Sequence, residues 1–246
     1  MDDRKLSFKA VVGSYNYNLA TPDSDVDQLH FVFPTFDDLY NGVQIKGVST
    51  SKQEDVAIHD VRKLADYLCK GSPNFIETLF SVRTYQKDGL YGQLLAMKSQ
   101  ITTLNLPSFY NACRGMFRQQ HAKAEAALFN KELDYKETGK HIASAMRIAN
   151  LLLKFHKSGF NNYEAALWYD SGTIAQETLV GLKSGKADFL TLRDYVEHLD
   201  GLDGDINELG DDYRKQKVDT DTAQEVQDLV RVYVEKNIRR ELKRGN

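Results

Sequence analysis

Cysteine is scarce in this chain. Its 246 residues include two, Cys69 and Cys113, each within a stretch of helical spacing. A small secreted scaffold stapled by disulfides carries more, so reduced thiols in a cytoplasm are the expectation. No apolar run approaches the ~20 residues that span a bilayer. The N-terminal MDDRKLSFKA lacks the apolar segment of a secretion signal. A soluble cytoplasmic protein with no membrane partner is therefore expected. One-sided charge is missing as well, since 32 Lys and Arg face 35 Asp and Glu, a formal net charge of −3. Whole-protein charge makes no case for nucleic acid, and any basic surface must be local.

Several catalytic and metal signatures are also missing. No serine sits in a Gly-x-Ser-x-Gly elbow, and no Gly-Lys-Ser/Thr phosphate loop occurs. The six histidines form no zinc-ligand pattern with one another or with the two cysteines. Asp23, Asp25 and Asp27 begin like a calcium loop, but Gln28 and Pro34 occupy the slots where that loop needs Gly and Glu. Asp203, Asp205 and Asn207 fail likewise, with Glu208 and Arg214 in those slots, and residues 200–212 read as an acidic, solvated loop.

What is present is enough apolar material, 41% of residues, for one large domain or two small ones. Leu6 to Val12, Gln28 to Phe33 and Asp55 to Val61 read as strands, and Val43 to Val48 as a weaker one. Val61 to Cys69 has helical spacing, with Asp60 as N-cap and Gly71 as the stop, and Pro73 starts a further turn or helix to Phe80. After about Pro107 helical periods dominate: 107–130, 139–157 and 223–242, with shorter helices over 162–168 and 172–183. The fold class expected is α+β, a mixed sheet with flanking helices followed by an all-helical C-terminal region. The boundaries expected are 1–104 and 105–246.

The segment Val12 to Asp27, V-GS-YNYNLATPDS-DVD, carries the chemistry. It reads as strand, tight turn, short connection and second strand. Gly13 lets a backbone approach a phosphate, and the N–H groups after it can face that anion. In an extended strand Asp25 and Asp27 share one face, with Val26 on the other. Adjacent carboxylates repel unless a cation lies between them, and hard oxygen ligands favour Mg²⁺ or Mn²⁺.

This pattern of hydrophobic residue, Gly13-Ser14, spacer and Asp25-x-Asp27 resembles the DNA polymerase β superfamily of nucleotidyltransferases. The longer string GSYNYNLATPDSDVD is similar to the bacterial and phage nucleotidyltransferase branch, whose signature reads roughly GS-x-AYG-x-x-TPDSD-x-D. A second block agrees: DVAIHDVRKLADYLCKGSPNFIETLF, residues 55–80, resembles that branch's D-V-T-x-H/Y block and its K-G-N-P-x-x-x-E-x-L-F run. Residues 139–147, GKHIASAMR, look like the branch's Lys/His-rich helix ahead of an arginine. Two departures stand out: Asn16-Tyr17-Asn18 where the branch has Ala-Tyr-Gly, and Ser72-Pro73 where it has Asn-Pro.

The resemblance implies a nucleotidyltransferase-type mixed sheet and three metal-holding, catalytic carboxylates. These are Asp25, Asp27 and, from the neighbouring strand, Asp55. Asp60 is the fallback, but it falls on the opposite strand face and is accounted for as a helix cap. Gly13, Ser14, Lys140 and Arg147 are implied as nucleotide-binding residues. Glu77 matches the block's glutamate, either orienting a cationic or hydroxyl group near the site or lying on a helix surface. His59 shares the Asp55 face, where packing is the simpler account.

Lys140, Arg147 and Lys154 recur every seven residues, and Arg114, Arg118 and His121 make a similar line. Solvated helix faces account for both stripes without a ligand, and only Lys140 and Arg147 gain weight from the resemblance. The basic KNIRRELKRGN terminus suits nucleic acid or, equally, the negative end of a helix dipole. The aromatic run Phe31, Phe33, Phe36, Tyr40 reads as core rather than a stacking platform.

The reading is transfer of a nucleoside monophosphate from an NTP to an acceptor hydroxyl, with Mg²⁺ or Mn²⁺ as cofactor and pyrophosphate released. RNA or DNA is the candidate acceptor, in a bacterial or host cytoplasm. Two alternatives stay open: a catalytically silent nucleotide-binding regulatory module, and a toxin-like enzyme that modifies proteins or small molecules.

Overall fold

The computed structural model describes residues 4–51, 54–86, 88–130 and 132–244. Residues 1–3 of the N-terminal stretch and the last two of KNIRRELKRGN lie outside the described residues. The strands are β1 (Leu6–Val12), β2 (Val26–Val32), β3 (Lys46–Thr50), β4 (Glu54–Asp60) and β5 (Thr84–Gln86). The helices in chain order are α1 (Phe36–Tyr40), α2 (Val61–Cys69), α3 (Pro73–Ile76), α4 (Leu90–Ala96), α5 (Lys98–Thr103), α6 (Leu106–Leu128), α7 (Tyr135–Lys157), α8 (Tyr163–Leu167), α9 (Ile174–Lys183), α10 (Phe189–Arg214) and α11 (Thr220–Arg244). Short 3₁₀ turns cover Gly13–Tyr17 and Glu77–Phe80. This is the expected mixed sheet with flanking helices and a helical C-terminal region. No helix among the described residues is long and apolar enough to cross a membrane.

The chain packs into two compact units. The first holds residues 1–16, 25–105 and 218–246, and the second holds 17–24 and 106–217. The single cut expected between 104 and 105 is thus too simple. One segment of the first unit ends at Asn105, and α11 belongs to that unit as well. What holds α11 there is a stripe of Val226, Val230 and Val234, buried at helical spacing where α11 packs on α2.

In the first unit the sheet order is β3-β4-β2-β1-β5. β2 and β4 run parallel, and the other neighbours are antiparallel. Alternation puts Phe8, Leu29, Phe31, Ala57 and His59 on one face. There Phe8 stacks on Phe31 and against Tyr91, while Phe31 meets Phe75 edge-on. Phe8 and Phe31 are fully buried, each worth about 1.5–3 kcal/mol. Asp60 is the predicted cap of α2: it accepts from the Arg62 N–H at 2.9 Å, is fully buried, and is ion-paired with the Arg62 guanidinium. Its oxygens are committed to that helix start, which weakens it as the fallback carboxylate.

The second unit is built on α6, α7 and α10, which pack pairwise. Phe109, Tyr110, Phe155, Tyr163 and Tyr213 interlock in its core. Gly139 lets α7 approach α9, since a Cβ there would run into the Leu182 carbonyl. Residues 200–212 are not a loop. They lie within α10, capped by Asp188, with Leu199, Leu202, Ile206 and Tyr213 buried at helical spacing. Their acidic face meets the stripe on α6, where Arg118 pairs with Asp203, Arg114 donates to Asn207 and His121 approaches Asp200. Acidic and glycine-rich composition hid a helix whose charges are matched by a neighbour.

Near the start of the first unit, Arg4 forms a two-bond pair with buried Asp38, which also closes a capping box with Thr35. The Arg4 guanidinium holds the Asp38 carboxyl well below the usual carboxylate range. Asp38 therefore stays ionised in the fold where the unfolded chain takes up a proton. That stabilisation is complete above about pH 4 and is lost as pH falls towards the lower folded value. Asp38→Asn should cost about 1–3 kcal/mol at pH 7 and less near pH 2.5. Urea unfolding at both pH values checks this, and equal losses would contradict it.

Candidate active site

The predicted site residues of the first unit gather where β1 ends and β2 begins. Val12 pairs with Asp27 across the antiparallel ladder, and Asp27 is in register with Asp55 across the parallel one. Register partners on neighbouring strands project to the same face, at a strand spacing of about 4.8 Å. Two ionised carboxylates about 5 Å apart repel by roughly 3 kcal/mol at an effective dielectric near 20. Asp55 Oδ1 is buried and has no hydrogen-bond partner among the described residues. Such an acceptor is costly unless something positive or a proton donor completes it.

Gly13 stands against the Asp27 carboxylate. Its φ is +70°, a conformation that favours glycine. A Cβ on it would collide with the Asp27 carboxylate. The expected reason for glycine here was close approach to phosphate; the observed reason is close approach to Asp27. The Gly13 N–H does not face outward for an anion either, because it donates to Glu77 Oε1 at 3.0 Å. Ser14 follows within the same 3₁₀ turn.

Glu77 is buried, which removes the surface alternative for it. It belongs to a clamp on the turn. Asn16 donates from Nδ2 to the Glu77 carbonyl at 3.2 Å and accepts from the Val82 N–H at 2.9 Å. Ser81 Oγ donates to the Val11 carbonyl at 2.7 Å. Asn16 entered the sequence reading only as a departure from an Ala-Tyr-Gly pattern, yet it is buried and bridges two segments. The signal was available: an Asn in a tight turn after Gly-Ser, with a Pro-x-x-x-Glu turn elsewhere to receive it.

Asp25 sits differently. It is exposed and lies one residue ahead of β2, so the ladder does not fix it on the Asp27 face. Among the described residues, no three Asp, Glu, His or Cys side chains converge closely enough to hold a metal ion. The structure brings together Asp27, Asp55 and Gly13, but does not gather Asp25 into a closed cluster with them. His59 packs between Phe31 and Phe75, and burial lowers its pKa.

Lys140 and Arg147 lie on α7 in the second unit. Lys140 is exposed, 3.4 Å from Glu137. The Arg147 guanidinium lies over the Tyr17 ring at 4.1 Å, a cation–π contact that the sequence reading missed. The neighbouring Lys154 lies over Tyr169 at 4.0 Å, and burial lowers its pKa.

The chain is of the DNA polymerase β type of nucleotidyltransferase. The chain belongs to the RlaP family, described as the RNA repair pathway DNA polymerase beta family, whose model matches residues 2–141. No curated protein matches. Among solved structures it is similar to a nucleotidyltransferase-like protein from Exiguobacterium sibiricum 255-15, at 10% identity and a TM-score of 0.30, over 83% of this chain and 73% of that one.

The clamp makes a prediction. Glu77→Ala leaves the Gly13 N–H without its acceptor and should cost about 1–3 kcal/mol, whereas Glu77→Gln keeps an amide oxygen and should cost less than half as much. Urea unfolding of the two variants decides the matter; equal losses would show that the Gly13 bond is not what Glu77 supplies.

Proposed function

We propose that this protein transfers a nucleoside monophosphate from an NTP to a hydroxyl of a nucleic acid, with RNA as the acceptor. The observation that carries the reading is the in-register pair Asp27 and Asp55, with the Asp27 carboxylate against Gly13 and one Asp55 oxygen buried and unpartnered among the described residues. Family membership supports the reaction type, and the family's description as an RNA repair pathway family supports RNA.

In this account Asp27 and Asp55 hold Mg²⁺ or Mn²⁺, and exposed Asp25 contributes once ion and nucleotide are present. Held there, the ion would supply neutralisation of phosphate charge and acidification of the acceptor hydroxyl. The protein residues do the rest. Gly13 and the Glu77 clamp hold the Asp27 carboxylate where it is needed, and Ser14 lies in the turn that faces the nucleotide. Lys140 and Arg147 are assigned to the triphosphate through their match to the Lys/His-rich helix of similar proteins. The acceptor oxygen forms a bond to the α-phosphorus as the bond to the β-phosphate bridging oxygen breaks, and pyrophosphate leaves. The hydroxyl proton passes to the Asp55 carboxylate.

Incubation with each α-labelled NTP, Mg²⁺ or Mn²⁺, and cellular RNA, DNA and protein fractions tests this. Label should enter RNA and fall roughly 10³-fold in Asp27→Asn and in Asp55→Asn, the equivalent of about 4 kcal/mol of lost transition-state stabilisation. Label in protein or a small molecule would overturn the acceptor. No label above background with the wild type would leave a silent binding module, and equal labelling by wild type and variants would contradict the role of the two aspartates.

A further inference from the structure

The end of the sheet away from the aspartates carries a second polar site, within the same unit. Lys5 precedes β1 and Phe33 follows β2, six residues beyond Asp27, or about 20 Å along the strand. Two adjoining recesses of about 450 and 220 Å³ share Lys5, Phe33, Asn237 and Arg240. Arg244 lines the first and Lys236 the second. Lys236, Arg240 and Arg244 stand four apart on α11, which places them on one helix face at steps of about 6 Å. That step is comparable with the separation of successive phosphates along an extended strand.

These cations carry no matching carboxylate among the described residues, and the Lys236 ammonium lies over the Tyr233 ring at 5.7 Å. Among the described residues neither Lys5 nor any of the three on α11 is ion-paired with a carboxylate, whereas Arg231 and Arg239 of the same helix pair with Asp228 and Glu235. Two carboxylates line the recesses; each accepts from a backbone N–H, and Asp88 Oδ2 is buried with no partner among the described residues. Glu241 accepts from the Phe36 N–H at 3.2 Å, and Asp88 Oδ1 accepts from the Leu90 N–H at 2.8 Å. The Lys5 ammonium is held over the Phe33 ring at 5.7 Å. Four positive groups against two carboxylates make a concave, locally basic groove on a chain whose net charge is −3.

We propose that this groove binds the phosphodiester backbone of a nucleic-acid strand and anchors it about 20 Å from the reacting end. Guanidinium forks suit phosphate oxygens, and contacts of this kind position a strand without reading its sequence. The anchoring role rests on the nucleotidyl-transfer reading; the binding does not. A free nucleotide offers the same phosphate chemistry, so the test separates the two.

Fluorescence anisotropy with a labelled 20-nucleotide single-stranded RNA, without NTP or divalent ion, is the measurement. Arg240→Gln/Arg244→Gln should weaken binding about 10-fold and reduce the slope of log affinity against log salt by about 1.4, two contacts' worth. Arg231→Gln/Arg239→Gln, on the same helix, should bind as wild type. Both pairs are exposed, and matching thermal melts show that folding is intact. The proposal is overturned if wild type does not bind the RNA, if the two double variants lose affinity equally, or if ATP binding falls while RNA binding does not. If no acceptor is labelled yet RNA binding depends on Arg240 and Arg244, the transfer reading fails and the groove stands. If RNA is labelled and Arg240→Gln/Arg244→Gln binds as wild type, the groove fails alone.

Discussion

Two like charges in register across a parallel strand pair are the constraint on which the site depends. Nothing in sheet formation requires Asp27 opposite Asp55; apolar partners at that register would be more stable. The surrounding structure reads as support for this unfavourable pair. Gly13 gives up a side chain and adopts a left-handed backbone so that the Asp27 carboxylate fits against it. Glu77 and Asn16, both buried, spend their hydrogen bonds on fixing that turn. Such local costs, concentrated at one sheet end, are what a functional site looks like physically.

Much of this was legible in the sequence. The runs from Leu6, Gln28 and Asp55 showed their strands because apolar alternation marks half-buried ladders, and Asp60 announced its own role as a cap. Asp55 is preferred over Asp60 by the resemblance first and by strand parity second, and the register with Asp27 is consistent with that parity. Less legible was anything that depends on long-range partners. The Gly13–Glu77 bond spans 64 residues, and no local pattern reveals which acceptor a turn N–H will find. Residues 200–212 were misread because acidic side chains and glycines signal a loop until Arg118 and Arg114 on α6 supply their partners. The return of α11 to the sheet-bearing unit was hidden for the same reason: a valine stripe tells that a helix is buried, not against what.

Charge tells a parallel story. The net value of −3 hides how differently the cations are used. On α6 they are matched by α10, on α7 Arg147 and Lys154 lie over tyrosine rings, and on α11 Arg240 and Arg244 have no carboxylate partner among the described residues. Position, not number, separates a structural arginine from one available to a ligand.

The central claim is that Asp27 and Asp55 form one cation-binding unit. Electron paramagnetic resonance of Mn²⁺ titrated into the protein without nucleotide measures it directly, independent of catalysis. The account predicts a bound-ion population in the wild type that disappears in both Asp27→Asn and Asp55→Asn while persisting, weakened, in Asp25→Asn. Undiminished Mn²⁺ binding by the Asp55→Asn protein would contradict it.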